Sequence, residues 1–169
     1  VTKEGKVLIH DRVNYKLPMG FLGNLVAGKM IKKRLNRMFT AREIRLERDL
    51  KRHAEFSHIE RKKILVAGSS GLIGRQLVAF LDTGGHDVWR LVRRTIKTGE
   101  KEIRWDPPEG KINPDELEGF DTIIHLGGAG IGDKRWSKKR MKLIEESRTV
   151  STTFLSETIA NLKSKPDSF

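Results

Sequence analysis

Three glycines within seven residues, Gly68, Gly71 and Gly74, restrict the fold of this 169-residue chain more than any other feature. The apolar run at 63–67 before them is typical of a buried strand, and residues 72–81 after them repeat apolar positions with a helical period. The side chains expected to face inward from this helix are Leu72, Ile73, Leu77, Phe80 and Leu81. A strand that passes through a glycine turn into a helix is the building unit of a parallel sheet covered by helices.

Strands and helices continue to alternate after this unit. Strands are predicted over 87–92, 102–105 and 122–126, and a helix over about 137–161. Such alternation implies right-handed crossovers and a parallel sheet. Residues 62–169 are therefore predicted to be the N-terminal part of a Rossmann doubly wound sheet, an α/β fold.

The first 57 residues follow a different pattern. A strand is predicted over 6–17, a long amphipathic helix over 21–39 and a second helical stretch over 42–55. One strand and one or two helices cannot close a core. This region therefore either packs on the following domain or is the tail of a domain whose beginning is missing, and residues 58–61 are predicted to be a linker.

The charge is strongly basic but unevenly distributed. Of the net +12, residues 1–61 carry +8, with 15 Lys and Arg against 7 Asp and Glu. These basic residues alternate with apolar ones at helical spacing, which is typical of a solvated helix face. We therefore do not expect nucleic-acid binding, and a polyanion site over 29–52 is the alternative.

Composition excludes several other classes. The chain has no cysteine, so disulfides, thiolate zinc sites and thiol catalysis are excluded, and no metal site is predicted. It has no apolar run of about 18 residues and does not start like a signal peptide. We expect no membrane association and a cytoplasmic location.

The glycine turn predicts binding of a dinucleotide pyrophosphate. Gly68 permits the tight turn, Gly71 lets the backbone approach a phosphate and Gly74 lets the helix pack closely on the strand. The hydroxyl groups of Ser69 and Ser70 can add donors. The predicted binding loop comprises Gly68, Ser69, Ser70, Gly71, Leu72, Ile73 and Gly74. The alternative is an ordinary strand-to-helix turn without a ligand.

Two further segments would reach the same edge of a parallel sheet. Arg93 and Arg94 follow the second predicted strand, where guanidinium groups would hold a 2′-phosphate and a carboxylate would accept from free ribose hydroxyls. The cofactor is therefore predicted to be NADP, unless an arginine merely caps the strand. A second glycine cluster, with Leu126, Gly127 and Gly128, follows the strand at 122–126 and either binds the cofactor or forms only a loop.

Several motifs in order carry a family resemblance. They are ILVAGSSGLIG (64–74), GHDVWRLVRR (85–94), IRWDP (103–107), FDTIIHLGGAGI (120–131), DKRW (133–136) and Ser147-Arg148 with Thr152. Residues 63–165 resemble the extended short-chain dehydrogenase/reductase superfamily, and within it the predicted nucleoside-diphosphate-sugar epimerases of the NAD-dependent epimerase/dehydratase type. The resemblance implies that 126–128 line the nicotinamide side and that Arg148 reaches the cofactor. From the residues alone, Trp136 and Arg148 could be core and surface helix positions.

Residues 7–55 resemble the C-terminal strand and helix of a START-like (SRPBCC) domain, an α+β ligand-binding fold. The residues that carry this looser likeness are VNYKLPMGFLGNL (13–25), RLNRMFTAREI (34–44) and DLKRH (49–53). The predicted organisation is therefore a partial START-like domain over 1–57, the linker, and a partial NADP-binding domain over 62–169.

The chain departs from the superfamily in its catalytic pair. Family members use Tyr-x-x-x-Lys to exchange a proton while hydride moves to or from nicotinamide. Tyr15 is the only tyrosine here and Met19 stands four residues later, so no catalytic residue is predicted and the chain is expected to be a fragment. The first hypothesis is the NADP-binding part of an epimerase or oxidoreductase with an unknown substrate. The second is a non-catalytic protein that senses NADP or binds a ligand.

Overall fold

The computed structural model describes residues 9–14 and 20–169, in two units, Val1–Ala54 and Glu55–Phe169. In the first unit, α1 runs without interruption over Gly20–Glu55. The two helical stretches predicted over 21–39 and 42–55 are thus one helix, because no glycine or proline lies between them to end it.

The strand predicted over 6–17 is absent from the described part of that range, residues 9–14. Residues 9–14 have no regular secondary structure, and the rest of that prediction lies outside the described residues. An isolated strand is not stable without a neighbour to share its hydrogen bonds. Within this segment Asp11 instead forms an exposed ion pair with Arg42 of α1, at 2.7 Å.

In the second unit the sheet begins directly before the glycine turn. Its strands are β1 (Lys63–Ala67), β2 (Asp87–Val92), β3 (Glu102–Asp106), β4 (Lys111–Ile112) and β5 (Thr122–His125). Their order is β4-β3-β2-β1-β5, and every pair from β3 to β5 is parallel. The predicted α/β fold of the Rossmann type is confirmed.

The short strand β4, which pairs antiparallel with β3, was not predicted from the sequence. A single 3₁₀ turn at Pro107–Glu109 and Gly110, with a left-handed φ of 59°, reverse the chain between the two strands. At the opposite edge of the sheet, Ser168 forms a parallel bridge with Thr122 of β5.

Helices cover both faces of the sheet. One buried cluster combines Leu65, Ala67, Leu91, Ile103, Trp105, Leu117, Phe120, Ile123, Leu155, Ile159 and Leu162, and the other Ile64, Val66, Val78 and Val88. Successive residues of β1 therefore enter opposite clusters, as expected for a strand buried on both faces. Helix α2 (Leu72–Thr83) contributes to the second cluster and α3 (Lys138–Ala160) to the first.

The inward face predicted for α2 is wrong at its start. Leu72 is 79% exposed and Ile73 is 68% exposed, whereas Gly74 and Val78 are buried. The helix touches the sheet through the row that begins at Gly74, and the two preceding residues lie off that row. In the part of the chain that the structure describes, no helix has the length and apolar character needed to cross a membrane.

Candidate dinucleotide-binding site

The carboxyl ends of β1, β2 and β5 meet at a cavity of about 920 Å³. Its wall includes residues 68–71 after β1, Arg93 and Arg94 after β2, and residues 126–128 after β5. This volume falls in the range of cofactor and ligand sites, about 300–1,000 Å³. The three segments that were predicted to share one edge of the sheet therefore line one cavity.

Backbone geometry explains two of the three glycines in the turn. Gly68 has a left-handed φ of +78°, and a Cβ there would lie 2.6 Å from the carbonyl carbon and oxygen of Leu126. A Cβ on Gly74 would overlap the carbonyl oxygen of Gly68. Gly68 thus lets the turn after β1 pack against the turn after β5, and Gly74 lets α2 approach β1.

The first turn of α2 is open to an anion. Its N-cap is Gly71, with no side-chain cap hydrogen bond, and its first turn contains no acidic residue. By contrast, Ser137 caps α3 by accepting from the backbone N–H of Arg140 at 3.2 Å. The first N–H groups of a helix have no acceptor within the helix and attract phosphate. The N–H of Gly71 itself is occupied, because it donates to the Gly68 carbonyl at 3.0 Å.

Leu72 and Ile73 were predicted to bind the cofactor as part of this loop. Their exposed side chains do not line the cavity. What they can offer a phosphate is their backbone N–H groups in the first turn of α2.

The two arginines after β2 differ in their surroundings. Both terminal nitrogens of Arg94 donate to the carboxylate of Glu102, and Nη1 also donates to the carbonyl of Thr95 at 2.8 Å. Among the described residues Arg93 has no ion pair, and it lines the cavity together with Lys97. The unpaired positive charges at this end of the cavity are therefore those of Arg93 and Lys97.

Neither Lys97 nor Glu102 was predicted from the sequence to belong to the site. The Glu102 side chain is only 2% exposed, and hydrogen bonds from Arg94 and from the Lys97 backbone hold the pKa of its carboxyl below its usual range. An acidic residue at the start of a strand in a parallel sheet was the available signal, since such residues are seldom buried unless paired.

His125 ends β5 and lies half-buried in the cavity wall. The backbone N–H of Gly127 donates to its Nδ1 at 3.3 Å, so the neutral ring carries its proton on Nε2 and donates to the Ser151 hydroxyl at 3.0 Å. Ser151 in turn donates to the carbonyl of Ser147 at 2.6 Å. Burial lowers the pKa of His125, which favours this neutral form.

Helix α3 holds the loop that follows. The Ser147 hydroxyl accepts from the backbone N–H of Ala129 at 2.8 Å, and Arg140 donates to the carbonyl of Gly130. Arg148 donates to the carbonyl of Ala129 at 3.2 Å. These three side chains fix the loop against the helix.

The side chains of Arg148 and Trp136 both donate to backbone carbonyls of the loop after β5. Arg148 packs so closely on Gly128 that a Cβ there would lie 3.0 Å from its guanidinium carbon, and it is not part of the cavity wall. The cofactor contact of Arg148 stays a prediction, and its observed contacts brace the loop. Trp136 is 58% exposed and donates to the carbonyl of Ile131 at 3.0 Å.

A parallel sheet with a glycine turn after its first strand, and a cavity at its carboxyl edge, defines an NAD(P)-binding domain of the Rossmann type. Residues 64–167 match the model of the NAD dependent epimerase/dehydratase family, and the chain belongs to that family. The expected family relationship is confirmed.

Curated relatives include epimerase family protein Mb2239 of Mycobacterium bovis, which is 38% identical over 98 residues, or 58% of this chain and 32% of that protein. Human epimerase family protein SDR39U1 is 31% identical over 106 residues, or 62% of this chain and 34% of that protein. The chain therefore spans about a third of the length of the curated relatives it matches.

Two solved structures show the same fold. The nucleoside-diphosphate sugar epimerase from Corynebacterium glutamicum has a TM-score of 0.59 and 36% identity, with 76% of this chain and 26% of that chain covered. The crystal structure of human SDR39U1 with NADPH has a TM-score of 0.50 and 28% identity, with 61% of this chain and 33% of that chain covered. A nicotinamide cofactor is therefore supported for this family of sites.

Proposed function

We propose that the cavity binds NADP and that the chain is the cofactor-binding part of an epimerase or oxidoreductase of the extended short-chain type. The cofactor would exchange hydride with a carbonyl or alcohol, of the nucleotide-sugar kind or another. The observation that carries the proposal is the charge at the end of β2, where Arg93, Arg94 and Lys97 face one cavity.

The engagement of the two carboxylates near the end of β2 argues against a site for NAD. Recognition of NAD at the end of the second strand needs a carboxylate that accepts from the ribose hydroxyls. Glu102 is engaged by Arg94, and Glu100 is paired with Arg90 at 3.1 Å. Guanidinium and ammonium groups favour a phosphate instead. The binding of NADPH by human SDR39U1 supports the same choice.

The three segments of the cavity would each hold one part of NADP. The N-terminus of α2 would bind the pyrophosphate, Arg93 and Lys97 the 2′-phosphate, and residues 126–128 would lie beside the nicotinamide. Bound NADP would supply the hydride. The family's Tyr-x-x-x-Lys pair does not occur in residues 1–169, so these residues account for binding and orientation of the cofactor.

NADPH and NADH titrations, followed by nicotinamide fluorescence, test the proposal. We expect NADPH to bind more tightly, and Arg93→Ala to weaken it by about tenfold or more, because a hydrogen bond to a charged group contributes about 1.5–3 kcal/mol. NADH affinity should stay the same. Arg135→Ala removes an equal charge at an exposed position outside the cavity and serves as the control. Equal losses for both nucleotides, or a preference for NADH, would refute the assignment.

We also propose that residues 1–57 are the C-terminal part of a START-like domain. Support comes from the long helix α1, which occupies the place of the single long helix implied by the resemblance. An experimental structure in which α1 does not pack across an antiparallel sheet would contradict this assignment.

A further inference from the structure

Glu102 is a buried acidic residue in a cavity wall that also carries the cations Arg93, Arg94 and Lys97. It is the first residue of β3, and its side chain is 2% exposed. Its two carboxylate oxygens accept from Nη1 of Arg94 at 2.9 Å, from Nη2 of the same residue, and from the backbone N–H of Lys97 at 3.1 Å. The carboxylate therefore binds both the Arg94 side chain and the Lys97 backbone, which belong to the segment that carries the cations.

The pair leaves one edge of Arg94 unused. A guanidinium group has five N–H donors, arranged as a rigid planar fork. Glu102 and the Thr95 carbonyl occupy three of them. The Nε–H and one N–H of Nη2 remain on the same edge of the group, and such an edge binds a phosphate with two parallel hydrogen bonds. Because Glu102 already fixes the fork, ligand binding need not immobilise a free arginine.

We propose that Glu102 is a positioning residue for the 2′-phosphate of NADP. It holds Arg94 so that the Nε edge serves the cavity, and it holds the backbone of Lys97 so that this side chain reaches the same ligand. The inference rests on the proposed NADP function. It goes further by assigning specificity to an anionic residue that touches no phosphate.

A purely repulsive role for Glu102 predicts a change in NADPH affinity of the opposite sign. If the carboxylate acted only through its negative charge, it would repel a 2′-phosphate, and its removal would strengthen NADPH binding. If it acts by orienting Arg94 and Lys97, its removal weakens NADPH binding although a repelling charge has been lost. The direction of the change therefore separates the two roles.

The test compares NADPH and NADH affinities of the whole chain and its variants Glu102→Gln, Arg94→Ala and the double variant. We expect Glu102→Gln to weaken NADPH by about tenfold, as for loss of one charge-assisted hydrogen bond, and to leave NADH unchanged. In the Arg94→Ala background, Glu102→Gln should have a much smaller effect, because its main partner is gone. Glu109→Gln is the charge-matched control, since Glu109 is exposed and pairs with Lys111 outside the cavity.

Three results would overturn the role of Glu102: NADPH binding that is unchanged or tighter in Glu102→Gln, equal weakening of both nucleotides, or an undiminished effect in the Arg94→Ala background. Thermal unfolding establishes that each variant is folded. If Glu102→Gln does not fold, Glu102→Asp keeps the charge and withdraws the carboxylate by one methylene. It should show the same loss selective for NADPH, and a loss shared by NADH would overturn the proposal.

The same titrations distinguish failure of the NADP function from failure of the role of Glu102. If the unsubstituted chain binds neither nucleotide, or prefers NADH, the proposed function is refuted and the role of Glu102 with it. If the unsubstituted chain prefers NADPH and Glu102→Gln preserves that preference, only the positioning role is refuted.

Discussion

Replacement of Gly68 by alanine should destabilise the domain through two separable effects. The residue has a φ of +78°, a region that costs an L-residue about 1–2 kcal/mol. The new Cβ would also lie 2.6 Å from the carbonyl carbon and oxygen of Leu126 and 2.7 Å from the nitrogen of Gly127. Backbone atoms cannot rotate away, and overpacking of this kind costs about 1–3 kcal/mol. The expected loss in free energy of unfolding is therefore about 2–5 kcal/mol.

Gly119→Ala separates the two effects. Gly119 has a φ of +73°, but a Cβ there would meet nothing within 4 Å, so only the conformational cost of about 1–2 kcal/mol should appear. Urea unfolding followed by tryptophan fluorescence measures both variants. Gly68→Ala should also weaken NADPH binding, because it forces the two loops apart, whereas Gly119→Ala should not. If Gly68→Ala costs no more stability than Gly119→Ala, the inferred contact between the loops is wrong.

Two further predictions concern His125 and the start of α3. Burial lowers the pKa of His125 below its ordinary 6.5, so at acidic pH the unfolded chain binds more protons than the folded chain. The contribution of neutral His125 to the free energy of unfolding is therefore complete above about pH 6.5 and is lost as the pH falls below that value. Urea unfolding at about pH 7.5 and about pH 5.5 measures this loss, and the free energy of unfolding should decrease less in His125→Asn than in the unsubstituted chain. An equal decrease in the two proteins would contradict the assignment. Ser137→Ala should lower the free energy of unfolding by about 1 kcal/mol, because it removes the N-terminal cap of α3. Thr152→Ala, at an exposed position of the same helix, should not lower it. Equal thermal stabilities of these two variants would exclude the cap.

The local sequence pattern was sufficient to predict the bounds of the strands beside the glycine turns. The predicted strands at 63–67 and 87–92 coincide with Lys63–Ala67 and Asp87–Val92 at both ends. Each is short and mostly apolar, and glycines at 68 and 84–85 limit the intervening helix. The strand predicted at 6–17 was likewise bounded, by Pro18 and Gly20, yet its described part, 9–14, is not a strand. A strand depends on partners that its own sequence does not reveal.

The sequence predicted the backbone geometry of the glycine turn, whereas the binding role of its residues stays a prediction. The tight turn at Gly68 and the close packing at Gly74 follow from the need to turn a strand into a helix, so spacing was a sufficient signal. The contact of Gly68 with Leu126 of the turn after β5 was not predicted, because it depends on the pairing of β1 with β5. The pairing of Arg94 with Glu102 depends instead on the register of β2 and β3, in which Arg90 lies opposite Glu102. Sequence separation says nothing about such a register. The same holds for His125 and Ser151, which are 26 residues apart and meet because α3 packs on the sheet.

The bonds from α3 to the loop after β5 have a consequence for kinetics. Ser147 and Arg148 bind opposite groups of the Ala129 peptide backbone, and Arg140 binds the next carbonyl. Because opening this loop would break all three contacts, we expect it to act as a fixed wall and not as a lid. We therefore expect cofactor association to follow a single exponential whose rate rises linearly with concentration, without a slow phase from loop closure.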